Sequence, residues 1–198
     1  MTEANDVHGD AGERSGSVPI DGGGEGSHSR SERATTYAVM AECWREPTEQ
    51  LHDALDTGAL TSLVDHEDDV GLADLRAEYT RLFIGPEGPP CPPYESVYRD
   101  AEDEEEFGPV NGPATMAIRR WYGEFDLQPT AEHTDLPDHI ATELEFAAYL
   151  ASEGHEEYLN QFLDEHLRAW ADEFLTAVET ESHRQFYTSL ARSTRKLL

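Results

Sequence analysis

The chain has 198 residues, 37% of them hydrophobic, which is enough for one sizeable core with sequence to spare. Fourteen basic residues face 42 acidic ones, a formal net charge of −28; a field of that sign repels phosphate backbones and argues against nucleic-acid binding. No apolar run approaches the roughly 20 residues that span a bilayer, and Met1 to Asp10 has neither the basic start nor the apolar stretch of a secretory signal. Membrane insertion is therefore not expected, and the cytoplasm is the expected location.

The acids are spread along the whole chain, and Lys196 is the only lysine. This reads as adaptation to concentrated salt, where carboxylates keep the surface hydrated. At ~1 M salt the Debye length is about 3 Å, so self-repulsion is largely screened. Attraction of a basic ligand is the other reading, and locally both can hold. Cys43 and Cys91 sit in no CxxC or Cys/His ligand spacing, so they form no metal site by themselves.

In chain order, residues 1–33 hold seven of the 15 glycines and five serines, with almost no large apolar side chains. That composition cannot offset the entropy of ordering, so 1–33 is expected to be a disordered tail and 34–198 one helical domain. A first helix is predicted over about Ala34 to Arg45, with Tyr37, Met40, Ala41 and Trp44 on one face. Pro47 is expected to open a second, carrying Leu51 and Leu55 and stopping at Gly58. A short helical piece is expected around Leu60 to Val64. Leu72, Leu75, Tyr79, Leu82 and Phe83 then form an amphipathic stripe that ends at Gly85-Pro86.

Residues 85–93 read GPEGPPCPP, whose five prolines forbid helix interior and central strand alike. An acidic run from Glu102 to Glu106 follows, expected to be a solvated loop. Pro113 is expected to start a helix bearing Met116, Ala117, Trp121 and Phe125, and Pro137 one bearing Ile140, Leu144, Ala147 and Leu150 that stops at Gly154. Tyr158, Phe162, His166, Trp170 and Phe174 make one further ladder, and Phe186, Leu190, Ala191 and Leu197 another. No segment alternates with period two long enough to be a strand, so the fold class is all-α, a single compact multi-helix domain.

The usual chemical signatures are missing. The glycines of residues 85–90 lack the lysine and hydroxyl of a P-loop, no HExxH or GxSxG occurs, and Arg119-Arg120 lies inside a predicted helix. His133, Asp135, Asp138, His139 and Glu143 are ligand-capable and close in sequence, but in so acidic a chain such clusters arise by chance. No cofactor of the chain's own is expected. A metal- or nucleotide-dependent enzyme using the Asp138/His139 cluster is the alternative.

Two stretches stand out. In Tyr79-Thr80-Arg81-Leu82-Phe83-Ile84-Gly85-Pro86, followed by Pro92-Pro93-Tyr94-Glu95-Ser96-Val97-Tyr98, a helix end, a rigid proline loop and a second aromatic segment come together. They suit either an apolar groove with stiff walls or a well-packed turn, and the residues alone leave both open. In Leu136 to Phe146, Asp138 stands near a helix N-terminus, where capping and the dipole favour a carboxylate. His139 and Glu143 are i, i+4, which is also what an ordinary surface pair would look like.

Leu82-Phe83-x-Gly-Pro, then Pro92-Pro93-Tyr94-Glu95-Ser96-Val97-Tyr98, then Pro137-Asp138-His139 with Glu143-Leu144-x-Phe146, resembles the TorD/DmsD family of redox-enzyme maturation chaperones. The resemblance runs on through Phe162 to Leu167, Trp170, Phe174 and Phe186-Tyr187, covering roughly 34–198. It implies an all-helical chaperone, not an enzyme, that binds the twin-arginine signal peptide of a molybdenum-cofactor oxidoreductase of the dimethyl sulfoxide, trimethylamine N-oxide or nitrate reductase kind. It implies that the apo-form of the catalytic subunit is held until its cofactor is inserted. The family's leader-binding positions fall on Tyr79, Leu82, Phe83, Pro93, Tyr94, Asp138 and His139. The residues fit such a role: Leu82, Phe83, Pro93 and Tyr94 could supply apolar contact, and Asp138 with Glu143 the charge. A monomer is expected, with a dimer as the alternative.

Overall fold

The computed structural model describes residues 23–85, 88–102, 107–127 and 136–198, and side-chain surroundings from residue 28 onward. Nine α-helices are found among these residues: α1 Gly23–Cys43, α2 Glu49–Asp56, α3 Leu72–Tyr79, α4 Glu95–Arg99, α5 Pro113–Glu124, α6 Ile140–Ser152, α7 Glu156–Glu165, α8 Leu167–Glu181 and α9 Gln185–Leu197. They contain no β-strand, only an isolated antiparallel bridge between Tyr94 and His139. The all-α expectation holds.

α1 lies along α6, and α8 packs on α9; these are the most extensive helix pairs. The predicted face of α1 is the buried one, with Tyr37, Met40, Ala41 and Trp44 each 1% exposed or less. Fully burying side chains of this size stabilises by roughly 1.5–3 kcal/mol each. Trp44 Nε1 donates to Thr194 Oγ1 at 2.9 Å, tying α1 to α9, and Arg45 grips Glu145 of α6 through two hydrogen bonds of 2.8 and 2.9 Å.

Helix ends follow the local chemistry. Thr48 caps α2 by accepting from Leu51 N, so Pro47 stands just before the helix, not in its first turn. Gly58 and Gly154 take positive φ (73° and 76°) where α2 and α6 end, as expected of glycines past a helix C-terminus. Pro113 is the first residue of α5. The expected helical piece at Leu60 to Val64 is instead a run of turns. The acidic stretch beyond Glu102, and His133 and Asp135, lie outside the described residues.

α1 begins at Gly23, well upstream of the predicted start at Ala34. Composition misses this because a helix propagates cheaply once nucleated, and tertiary contacts reward the extension. Arg33 pairs with Glu156 at 3.1 Å, and Arg30 packs over Gly154, where a Cβ would come within 2.8 Å of its guanidinium.

α3 does not run to Gly85 as one α-helix. It widens into a π-helical turn, Thr80–Ile84, closed by Gly85 N donating to Thr80 O at 2.8 Å. The turn leaves Leu82 O to accept from Cys91 N at 3.0 Å, which fastens the proline loop to the helix. π-turns of this kind are frequent at functional sites. Both cysteines are buried, and burial pushes each thiol up to about 12, so neither is a nucleophile near neutrality.

Candidate functional site

The two singled-out stretches meet at the bridge. Glu95 N donates to Asp138 O at 2.9 Å, Ile140 N to Pro93 O at 2.9 Å, and the Tyr94 and His139 rings stand 5.3 Å apart, edge to face. The prolines explain the shape: lacking N–H groups, Pro92 and Pro93 can only accept, so the chain pairs for a residue or two and then turns into α4.

Asp138 does not project past a helix terminus into solvent. It is fully buried, and its Oδ2 accepts from Ser96 N at 3.1 Å. The cap of α6 is His139, whose Nδ1 accepts from Ala141 N at 3.1 Å, leaving Nε2 as the ring's donor. Nor are His139 and Glu143 a surface pair, since both are buried. Glu143 Oε2 accepts from Trp170 Nε1 of α8 at 3.3 Å, and Pro137 O accepts from the Tyr122 hydroxyl of α5 at 2.8 Å. Sequence spacing places residues on a helix face, but only the packing of α5 and α8 decides that this face is inward.

Behind the bridge lies a group of acids that the motif reading did not assemble. Glu95, Asp138 and Glu143 are each fully buried. Glu95 accepts from His166 Nδ1 at 2.9 Å and from the Arg99 guanidinium, which also reaches Glu165 O at 2.8 Å. Burial, followed by the neighbouring Glu95 charge, raises the pKa of Glu143 well above the ordinary carboxyl range. Burial therefore favours the neutral form of Glu143. Ser96 Oγ, Asp138 Oδ1 and Glu143 Oε1 are buried without a hydrogen-bond partner among the described residues, an unusual concentration of unspent polarity. One signal for this was present in the sequence: His166 interrupts an otherwise aromatic ladder, and a histidine in that position needs a polar partner.

The remaining motif residues form the apolar wall. Leu82 is fully buried and Phe83 only 4% exposed, so neither opens onto the proline loop as an exposed groove floor. Phe83 is surrounded by Trp44, Tyr79, Phe174 and Tyr187, with ring centroids 5.1–6.1 Å away. Tyr79 and Pro93 are buried as well, whereas Tyr94 is half-buried and reaches the surface. The structure therefore joins Pro93, Tyr94, Asp138, His139 and Glu143 in one junction and sets Tyr79, Leu82 and Phe83 in the adjoining core.

A surface cleft of about 530 Å³ is lined by His166 and Arg99, the two partners of Glu95. Trp121 and His166 are its most buried lining, with Arg99, Arg120, Glu124, Asp164 and Glu165 also around it. Among the described residues no group of three His, Cys, Asp or Glu side chains is placed to hold a metal ion. No described helix is long and apolar enough to cross a membrane.

Residues 38–176 match the family described as nitrate reductase delta subunit. The Tat proofreading chaperone DmsD of Salmonella paratyphi A is 33% identical over 120 residues, 61% of this chain, so the chain spans just over half (56%) of that relative. The selenate reductase assembly chaperone protein of Thauera selenatis is 28% identical over 165 residues, 74% of this chain and 76% of the relative. Among solved structures, a chain from Archaeoglobus fulgidus described as a redox enzyme maturation protein superposes with a TM-score of 0.60 at 28% identity, covering 83% of this chain and 91% of that one.

Proposed function

The chain belongs to the nitrate reductase delta subunit family, that of the TorD and DmsD chaperones, and from that premise we propose that it is a system-specific chaperone of molybdoenzyme maturation. It binds the twin-arginine signal peptide of a molybdopterin-dependent catalytic subunit in the cytoplasm. It holds the apoenzyme until the cofactor is inserted and has no catalytic step of its own.

The observation that carries this reading is the junction itself, where the half-buried Tyr94 meets the buried His139 over the buried carboxyl groups of Glu95, Asp138 and Glu143. A leader with a basic pair beside an apolar segment needs apolar contact next to negative potential. Here Tyr94 supplies the partly exposed apolar edge, and the carboxylates of Glu95 and Asp138 behind it supply the potential in a medium of low dielectric. Tyr79, Leu82, Phe83 and Pro93 act from beneath, holding the proline loop that carries Tyr94. The experiment is a pull-down from native extract of the source cells, in molar potassium chloride, with mass spectrometry of what is retained. The expected result is a molybdoenzyme catalytic subunit still carrying its leader; retention of mature, leader-less enzyme alone would overturn leader binding.

The surface charge is part of the same proposal: an acidic protein adapted to concentrated salt should gain thermal stability as potassium chloride rises from dilute buffer to molar levels. Equal melting temperatures in both would remove that reading without touching the chaperone one.

A further inference from the structure

Among the described residues five large apolar side chains are strongly exposed, and three of them, Phe107 (56%), Val110 (51%) and Met116 (49%), fall within ten residues of one another in sequence. Grouped exposure of this kind marks interaction surfaces more often than chance does. The backbone here is fastened in place. Gly108 N donates to Val97 O at 2.7 Å, and a Cβ at Gly108 would come within 2.8 Å of Ser96 O and 2.7 Å of Ala101 N, so the segment lies hard against the end of α4. Asp100 accepts from Ala114 N at 2.9 Å, and a Cβ at Gly112 would overlap its carboxylate. The Phe107 ring meets Tyr98 edge-on at 5.8 Å, and Tyr98 stacks on Trp170 at 5.5 Å. The apolar side chains are therefore presented by an anchored segment.

Phe107 lines a concavity of about 480 Å³ together with Asp100, Glu102, Gly108, Pro109 and Pro113, and Val110 follows directly after Pro109 in the chain. Met116 stands one turn beyond Pro113 on the same side of α5. Asp100 is engaged in capping α5, whereas Glu102 is exposed.

We propose that this shelf of Phe107, Val110 and Met116, rimmed by Glu102, is a docking surface for a cationic amphipathic segment of the client. The proposal rests on the reading of the chain as a leader-binding chaperone and adds to it a second contact surface, at the far end of α4 from the Tyr94–His139 junction. Charge selects the occupant. Among the described residues the charged groups lining the concavity are acids, on a chain of net charge −28, so a segment bearing arginine is drawn in there, while the Arg119 guanidinium lies 3.9 Å from Met116 Sδ at the other end of the shelf. A second copy of this chain would bring like charge to the same face.

The test uses the full chain and a synthetic peptide with an arginine pair followed by a leucine-alanine stretch, with a glutamate-pair peptide as control, titrated by calorimetry at two potassium chloride concentrations. The double variant Val110→Ser/Met116→Ser should bind the arginine peptide at least about tenfold more weakly with an unchanged melting temperature. Glu102→Lys should weaken it too, by a factor that shrinks as salt rises. Unchanged affinity in both variants, while Tyr94→Ala weakens binding, would overturn the shelf and leave the chaperone reading standing. If the unaltered protein fails to prefer the arginine peptide over the control, leader binding itself falls. If sedimentation shows the double variant losing a dimer while peptide affinity holds, a second copy covers the shelf and the proposal is wrong.

Discussion

The proline loop lies between two interiors of opposite character. On the side of α3 and its π-turn, Phe83 is packed among Trp44, Tyr79, Phe174 and Tyr187, without an ionised group in the set. On the side of α4 and α6, Glu95, Asp138 and Glu143 are as deeply buried, but against His166, Arg99 and the Trp170 indole. Phe174 and Trp170 lie one turn apart on α8 with their rings 5.4 Å from each other, so a single helix serves both. The first interior stabilises the fold by removing apolar area from water. The second is expensive to bury and adds little net stability unless its charges and polar atoms are well paired.

The sharpest way to break this contrast is to truncate Phe83. Phe83→Ala should destabilise the protein by about 3–5 kcal/mol, the usual cost of emptying an aromatic core position, read as a large fall in melting temperature. Little change would mean that the wall is loose and that Phe83 serves the surface.

A smaller effect is expected at Asp138. Asp138→Ala leaves Ser96 N without its acceptor in a buried place, at a cost of about 1–3 kcal/mol. Denaturant melts give the value; an unchanged midpoint would mean that the Asp138 carboxylate contributes no net stability.

Glu143 gives the most graded test. Its folded pKa lies above the ordinary value, so the folded state holds a proton that the unfolded chain releases above about pH 4.3. Stability associated with that proton is complete below about pH 4.3 and is lost as pH rises toward the folded value, at no more than about 1.4 kcal/mol per pH unit. Glu143→Gln keeps a carbonyl for Trp170 Nε1 and carries no titrating proton. Its stability relative to the unaltered protein should therefore climb with pH from about 4.3. Parallel pH profiles would mean that Glu143 titrates normally and that the acidic interior is open to water.

Much of the helical plan could be read directly from residues. Pro113 at a helix start and Gly58 and Gly154 at helix ends act through their own backbone geometry and need no distant partner. α4 was not legible, because five residues between a proline loop and an acidic run carry no periodic pattern. The N-terminal part of α1 was not, because its support comes from Glu156 and Gly154 far along the chain. The π-turn was not, because Thr80–Ile84 has an ordinary helical stripe.

At the site, the order of the motifs singled out two segments, and the bridge of Tyr94 to His139 joins them. Side-chain direction was beyond the motifs' reach. A carboxylate near a helix N-terminus can point out or in, and Asp138 points in because Tyr122 of α5 and Ser96 of α4 close over that turn. The Glu95–His166 pair joins residues of α4 and the α7–α8 break, a contact that only the folded chain makes.

The central claim is that Tyr94 marks where a cationic, apolar leader engages. Calorimetry with the arginine-pair peptide decides it most directly, comparing the unaltered protein with Tyr94→Ala in molar potassium chloride. The half-buried Tyr94 is the exposed edge of the junction, so its truncation should leave the melting temperature within a few degrees while weakening binding about tenfold, a loss of ~1.4 kcal/mol. Equal affinity in a variant that stays folded would contradict the claim and move the leader away from the junction.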